Sequence, residues 1–375
     1  MRRRSSSPWA KLAEINWAIL LLALLIACVG FLMMVSAGNG DFFVYASPQI
    51  IRFAGAFVLM LILAIIPMRL LMQYAYLIYF ACVLVLLVVE LVGHVGMGAQ
   101  RWLRLGGMNL QPSEFMKLAL VLALARYFHH IHPEEIRRIS FLVAPALMIF
   151  VPVGLIFLQP NLGTATIVLC VGTALCFLAG VQWRYFIGIA VVGLSALPVL
   201  WHFMHAYQKR RVLTFLDPTQ DPLGAGYNIL QSMIAIGSGG FFGKGFLQGS
   251  QNQLNFLPEK HTDFIFTMLA EEFGFLGGLF LLAMYFLLML MSMMVAVNSR
   301  SNFGAMVAAG VGVLLFIHVM INCAMVMGLV PVVGVPLPLL SYGGSITVST
   351  VLAIGLLLNA ATHRDEKPSR MTPDL

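Results

Sequence analysis

Ten apolar stretches recur along the chain, at 15–37, 49–67, 71–91, 113–129, 140–157, 162–181, 185–205, 273–297, 303–328 and 343–361. Each is close to the roughly 20 residues that carry a helix across a bilayer. One long interruption, 205–262, is rich in Gly, Asp-Pro and Gln, as in DPTQDPLGAGYN and GSGGFFGKGFLQGSQNQ. Such punctuation predicts an ordered, turn-rich excursion rather than a span. Its Phe215, Tyr227, Ile229, Ile234, Phe241, Phe242 and Phe246 argue against disorder. A second irregular stretch, PVVGVPLPLLSYGGS at 331–345, carries too much Pro and Gly for an ordinary helix. Uncovered backbone is costly in lipid, so this segment is expected as a packed loop lining a cavity. Because 273–297 can span alone, 263–272 is expected as a separate interfacial helix whose Glu271 and Glu272 face a polar cavity or solvent. The predicted fold class is all-α: a polytopic membrane protein of about ten transmembrane helices forming one membrane domain over 1–375. Its long extracytoplasmic loop, 205–262, joins the seventh and eighth helices, and 1–14 and 362–375 are cytoplasmic tails.

Charge orients this plan. With the N-terminus inside, the inner connections hold Arg69; Arg126, Arg137 and Arg138; Arg184; and Arg300, and the C-terminal tail holds Arg364, Lys367 and Arg370. The short outer loops near Asn39, Asn161 and Val332 hold no Lys or Arg. Cytoplasmic loops retain such cations, so both termini are expected in the cytoplasm. Two outer segments depart from the rule: 93–112 carries Arg101 and Arg104, and 205–262 carries Lys209, Arg210, Arg211, Lys244 and Lys260. Long loops translocate regardless of charge, which makes these cations tolerated passengers or partners for an anion.

Composition agrees that lipid is the main solvent: 60% of the 375 residues are hydrophobic and 10% are charged, against roughly a quarter charged in a soluble domain. The five cysteines all lie inside apolar runs, with no Cys-x-x-Cys pair and no Cys/His cluster, so neither a disulfide framework nor a zinc site is indicated. The start, MRRRSSSPWAKLAEINW, is basic and leads into an apolar run too long for a signal-peptide core, which reads as a retained first helix.

The strongest chemical signal is FLPEKHTDFIF, 256–266, where an ammonium, an imidazole and a carboxylate gather at the start of a helical pattern. Thr262 or Asp263 could simply cap that helix. Alternatively Asp263 is a general base, which needs reach to a hydroxyl and a raised pKa. The helix N-terminus and Lys260 lower that pKa and the nearby membrane raises it. Glu114 and Lys117 share a face of the fourth span and can pair, either as a structural ion pair or as part of a site. GSGGFFGKGF is not a nucleotide loop, because Lys244 is followed by Gly245 and Ser238 stands where the first Gly would fall. Gly274 and Gly278 form a helix-packing pair, and His318 and Asn322 share a face suited to an interhelical hydrogen bond. These features fit chemistry on an anionic lipid or transport equally.

Six blocks in order, GAQRWL (98–103), QPSEFMK (111–117), QPNLGTA (159–165), RVLTFLDPTQDPLGAGYNILQS (211–232), FLPEKHTDFIF (256–266) and GVPLPLLSYGGS (334–345), make the chain resemble the SEDS family of bacterial cell-wall polymerases over nearly its whole length. The run QGSQNQLNFLPEKHTDF and the short tails resemble the family's elongation branch more than its division branch. The resemblance implies a peptidoglycan glycosyltransferase that joins lipid II on the outer face of the cytoplasmic membrane, with Asp263 as the catalytic carboxylate. Substrate contacts are then expected from Arg101, Lys209, Arg210, Arg211, Lys244, Lys260 and His261. Glu114 and Lys117 match a buried charged pair that shapes the cavity, and Asn161, Glu272 and Ser341 are further motif positions. Asn161 departs from the family, which usually has Asp there. No cofactor is certain; a divalent cation would serve the pyrophosphate charge, although no ligand cluster marks a site for one. Implied partners are lipid II and undecaprenyl-pyrophosphate-linked glycan, a class B penicillin-binding protein transpeptidase, the elongation machinery and membrane lipid, with no nucleic acid. The competing reading is a lipid II flippase, which predicts polar residues through the whole membrane depth, whereas here the polar motifs crowd the outer side. A scaffold for other wall enzymes would not need the charged outer cavity.

Overall fold

The structure, a computed structural model, describes residues 14–92, 94–96, 99–105, 108–132, 134–204, 206–217, 225–253 and 259–366. All ten predicted spans form helices: α1 Trp17–Ala37, α2 Ala46–Ile65, α3 Met68–Val92, α4 Pro112–His130, α5 Val143–Leu158, α6 Leu162–Leu178, α7 Trp183–Phe203, α11 Ile265–Asn298, α12 Asn302–Val326 and α13 Gly344–Thr362. Seven of them are long and apolar enough to cross a membrane by length and composition: α1, α2, α3, α5 with its preceding turn, α11, α12 and α13. The helix α4 is more polar because it carries Glu114, Lys117 and Arg126. Local chemistry starts several of these helices. Asn16, Asn161 and Ser301 cap α1, α6 and α12, each accepting a backbone N–H three residues on, and Pro112 opens α4 at a position where no N–H is needed.

The centre of the bundle is α4, α12 and α13, with α2 laid along α13 and α11 along α12. Outer helices turn apolar side chains away from the protein, as Ile187, Ile189, Val191, Val192 and Leu194 do on α7. In lipid such exposure carries no penalty. Packing and interhelical hydrogen bonds hold the bundle instead. Asn359 of α13, for example, donates to the carbonyls of Leu63 and Ile66 at 2.8 and 2.6 Å, and Ser292 of α11 donates to Ala308 O at 2.6 Å.

Two regions differ from expectation. A small antiparallel sheet precedes α4, made of β1 His94–Gly96, β2 Ala99–Leu105 and β3 Met108–Leu110, in that order. It is too short to show in a hydropathy pattern. The excursion at 205–262, read as turn-rich, contains α8 Ala206–Leu216, α9 Ala225–Gly239 and the single turn α10 Ser250–Gln253. Its glycines disguise α9, whose stability is tertiary: Ile229 and Ala235 are buried, and Ser232 donates to Val326 O at 2.8 Å and bonds the Thr267 hydroxyl at 2.7 Å.

The expected separate helix before 273 is present as the first part of α11, which breaks at Gly274 (φ 67, ψ −163). The freed backbone groups are taken up by the glycine-rich segment after α9. Phe275 N and Leu276 N donate to Gly240 O and Phe241 O at 2.9 and 3.2 Å, while Lys244 N and Gly245 N donate to Glu271 O and Glu272 O at 3.1 and 2.9 Å. A Cβ at Gly274 would lie 2.3 Å from Gly243 N, so the contact requires glycine. The motif GSGGFFGKGF is therefore a backbone clasp on a broken helix.

Candidate active site

Asp263 stands half-buried in the turn entering α11. It does not cap that helix: the N-cap position is Phe264, without a side-chain bond. The Pro331–Ser345 segment is the packed loop the sequence predicts, and it builds the ground around Asp263. Asn322 of α12 donates to Asp263 O at 2.9 Å and to Val335 O at 2.7 Å. Ser341 donates to Thr262 O at 2.6 Å and accepts from Leu337 N at 2.7 Å, and Tyr342 N donates to His261 O at 2.9 Å. The carbonyls of 261 and 262 thus find donors on the loop and that of 263 finds one on α12, as buried carbonyls must. Gly334, at φ 68, approaches so closely that a Cβ there would be 3.3 Å from Asp263 Oδ2.

His261 stacks on Tyr45, at 4.4 Å between ring centres and 17° between planes, and meets the edge of Tyr342 at 5.6 Å. Burial is the main cause that lowers its pKa, with Lys260 acting the same way and Glu259 opposing. The ring is therefore held neutral at neutral pH. Lys260 is buried as well, which lowers its pKa while Glu272 acts to raise it. Arg52 of α2 lies over the Tyr342 ring at 4.9 Å. Gln49, one turn before it, donates to Ser341 O at 3.2 Å and Thr347 Oγ1 at 2.7 Å, locking α2 to the loop and to α13.

Beneath this ground lies a buried polar chain. Lys117 Nζ donates to both Glu114 oxygens at 2.8 Å, Ser349 donates to Glu114 Oε2 at 3.0 Å, and Lys117 Nζ meets His318 Nε2 at 2.9 Å. An ammonium only donates, so Nε2 accepts and Nδ1–H points to Pro336 O at 3.4 Å. The pair thereby reaches the loop beside Asp263 through His318. Glu114, Lys117 and His318 are 5%, 1% and 2% exposed, which shows how fully this charge is enclosed.

Other expected residues fall elsewhere. Glu271 and Glu272 are buried rather than facing solvent. Glu271 Oε1 accepts from Lys244 Nζ at 2.8 Å, Ser250 Oγ at 3.1 Å and Gln251 N at 3.1 Å, and Glu272 accepts from Ser36 at the end of α1. The Lys244 ammonium, expected to meet substrate, is engaged by Glu271. Lys209 reaches His202 O at 3.4 Å. Asn161 caps α6, accepting from Thr164 N at 3.4 Å, so the capping acceptor survives in place of Asp. The side chains of Arg101, Arg104, Arg210 and Arg211, and residues 256–258 of the Asp263 motif, lie outside the described residues. Among the described residues no group of three or more His, Cys, Asp or Glu is placed to hold a metal ion.

Tyr45, Gln49, Arg52 and Tyr342 join the site only in the folded structure. For Arg52 a signal existed, an ionisable residue inside an apolar run; the other three are ordinary until the loop folds onto them.

The arrangement offers a carboxylate on a rigid turn, beside a buried cation and a neutral imidazole, at one end of a helical bundle. The family model FTSW_RODA_SPOVE, described as cell cycle protein, matches residues 15–366. The chain is 43% identical over 348 residues to the peptidoglycan glycosyltransferase MrdB of Escherichia coli (strain K12), covering 92% of this chain and 93% of that one. Among solved structures it is similar to a chain from "Structural coordination of polymerization and crosslinking by a peptidoglycan synthase complex", with TM-score 0.82, 32% identity and coverage of 93% and 98%. It is also similar to the rod shape determining protein RodA of Thermus thermophilus, with TM-score 0.72, 30% identity and coverage of 94% and 98%.

Proposed function

The chain belongs to the FtsW/RodA/SpoVE family of cell cycle proteins, and from that membership we infer that it is a peptidoglycan glycosyltransferase of the MrdB/RodA kind, polymerising lipid II for cell elongation. It is a multi-pass membrane protein. Its catalytic face is on the outer side of the cytoplasmic membrane with both termini inside, a placement supported by the Lys and Arg asymmetry of its short loops.

Asp263 is the general base. Its carboxylate takes the proton of the C4 hydroxyl on the acceptor lipid II, and that oxygen attacks the anomeric carbon of the donor glycan. The new C1–O4 bond forms as the bond from C1 to the phosphate oxygen breaks, and undecaprenyl pyrophosphate leaves. One displacement inverts the centre, turning an α-linked donor into a β-1,4 link. Pyrophosphate needs little acid assistance when cations meet its charge; Lys260 is the described cation nearest Asp263 in sequence, and Arg101, Lys209, Arg210 and Arg211 complete the set, Lys244 being held by Glu271. A divalent cation is an additional proposal for the same charge. His261 orients sugar or phosphate, while Glu114 and Lys117 shape the ground below through His318. The observation that carries this reading is the rigid placement of Asp263 against the Gly334–Ser341 loop by Asn322 and Ser341. A class B penicillin-binding protein is the proposed partner, supported by the likeness to a synthase complex that couples polymerization with crosslinking.

The test is glycan-strand synthesis from purified lipid II by wild type and Asp263→Asn, each with the transpeptidase, and with EDTA or Mg²⁺ in parallel. Strands from wild type alone, with equal folding and partner binding, support the assignment. Strands from both remove Asp263 as the base. Lipid II flipping in vesicles without polymerisation would favour transport.

A further inference from the structure

Arg52 sits in the second turn of α2, six residues beyond Ala46, or about 9 Å along the helix from its start. A guanidinium inside a membrane helix is costly and needs a partner. Among the described residues no carboxylate lies within ion-pair distance of Arg52 and no acceptor takes its N–H groups. Its one described contact is the Tyr342 ring, 4.9 Å from the guanidinium carbon. Such stacking attracts the charge but offers no lone pair to five N–H donors. The elements around it are fixed: Gln49 ties α2 to Ser341 and Thr347, and Tyr342 N is bonded to His261 O, two residues before Asp263. A half-buried fork of donors is therefore held on rigid helices at the Asp263 end of the bundle, with its charge unanswered among the described residues.

We propose that Arg52, braced by Tyr342, binds the phosphate of a lipid-borne group beside Asp263. The ligand class follows from geometry, because a planar guanidinium pairs with phosphate through two parallel hydrogen bonds and remains charged at every working pH. The chemistry belongs equally to the diphosphate of the polyprenyl-linked substrate and to a phospholipid headgroup. The first source rests on the glycosyltransferase reading; the second does not.

The test uses the full chain in nanodiscs with its transpeptidase, comparing wild type, Arg52→Gln, Arg52→Lys and Tyr342→Leu. Thermal shift with inorganic pyrophosphate reads the phosphate site whether or not polymerisation occurs. The substrate source predicts that Arg52→Gln loses the pyrophosphate shift and raises KM for lipid II about tenfold at nearly constant kcat, with Arg52→Lys intermediate and Tyr342→Leu milder. The phospholipid source predicts unchanged KM, with phosphatidylglycerol activating and stabilising wild type over phosphatidylcholine but failing to do so for Arg52→Gln. The proposal is overturned if Arg52→Gln matches wild type in all these readings. It is equally overturned if Arg52→Gln and Tyr342→Leu lower stability and kcat alike with pyrophosphate and lipid responses intact, which is the behaviour of a structural brace. Absence of glycan strands from wild type would count against the parent reading, and the thermal-shift and phospholipid arms would still decide the role of Arg52.

Discussion

One amide nitrogen of Asn322 donates both to Asp263 O at 2.9 Å and to Val335 O at 2.7 Å, fastening the proposed base to the loop opposite it. Asn322→Leu leaves two carbonyls without that donor. A stability loss of about 1–3 kcal/mol is expected, toward the lower end because membrane hydrogen bonds are weaker than their burial suggests. Polymerase activity should fall further than stability alone explains, as strand synthesis and thermal unfolding in the same detergent would show.

Gly334 holds φ 68 with Asp263 Oδ2 3.3 Å from where a Cβ would stand. Gly334→Ala imposes a left-handed backbone costing about 1–2 kcal/mol and pushes on the carboxylate. We expect kcat to drop by about tenfold or more while KM changes little, because displacement of a reacting group acts on the transition state. Steady-state kinetics on lipid II check the split.

Lys117→Met strands the Glu114 carboxylate among buried groups, at a cost of about 3–5 kcal/mol. The double variant Glu114→Gln/Lys117→Met removes both charges and should recover much of that loss. Melting temperatures of the two singles and the double would reveal the non-additivity; additive losses would mean that the pair is not coupled as the 2.8 Å contacts imply.

The pKa of His261 is lowered below its ordinary 6.5, chiefly by burial. Below pH 6.5 the unfolded chain takes up a proton that the folded ring refuses, so stability declines as pH falls through the window between 6.5 and the lowered native pKa. Above that window both states are neutral and the effect is fully absent. His261→Gln should flatten the corresponding part of the pH profile of melting temperature, and an unchanged profile would place the acid sensitivity elsewhere.

Much of the architecture is legible in the sequence. Apolar run length foretold all ten helices, since lipid demands continuous internal hydrogen bonding over a set distance, and Pro and Gly density marked 331–345 as a loop. The helix α9 and the small sheet escaped because neither has a strong local period. α9 is stabilised by Ser232 meeting Val326 and Thr267 from other helices, which no window around residue 232 can contain.

At the site, Asp263, Lys260, His261, Glu114 and Lys117 could be named because charge in a nearly chargeless chain is conspicuous, and the motif blocks supplied their expected roles. Their surroundings could not. Whether Lys244 faces substrate or Glu271, whether Glu272 meets solvent or Ser36, and whether Arg52 meets a carboxylate or a tyrosine depend on groups far apart in the chain. The sequence by itself determined the helical membrane architecture and the identities of the charged groups, because hydropathy and residue type are local. Only the tertiary structure decided which described charges are answered by which groups, because an ion's partner is set by distances of a few ångströms between helices that adjoin only after the chain has packed.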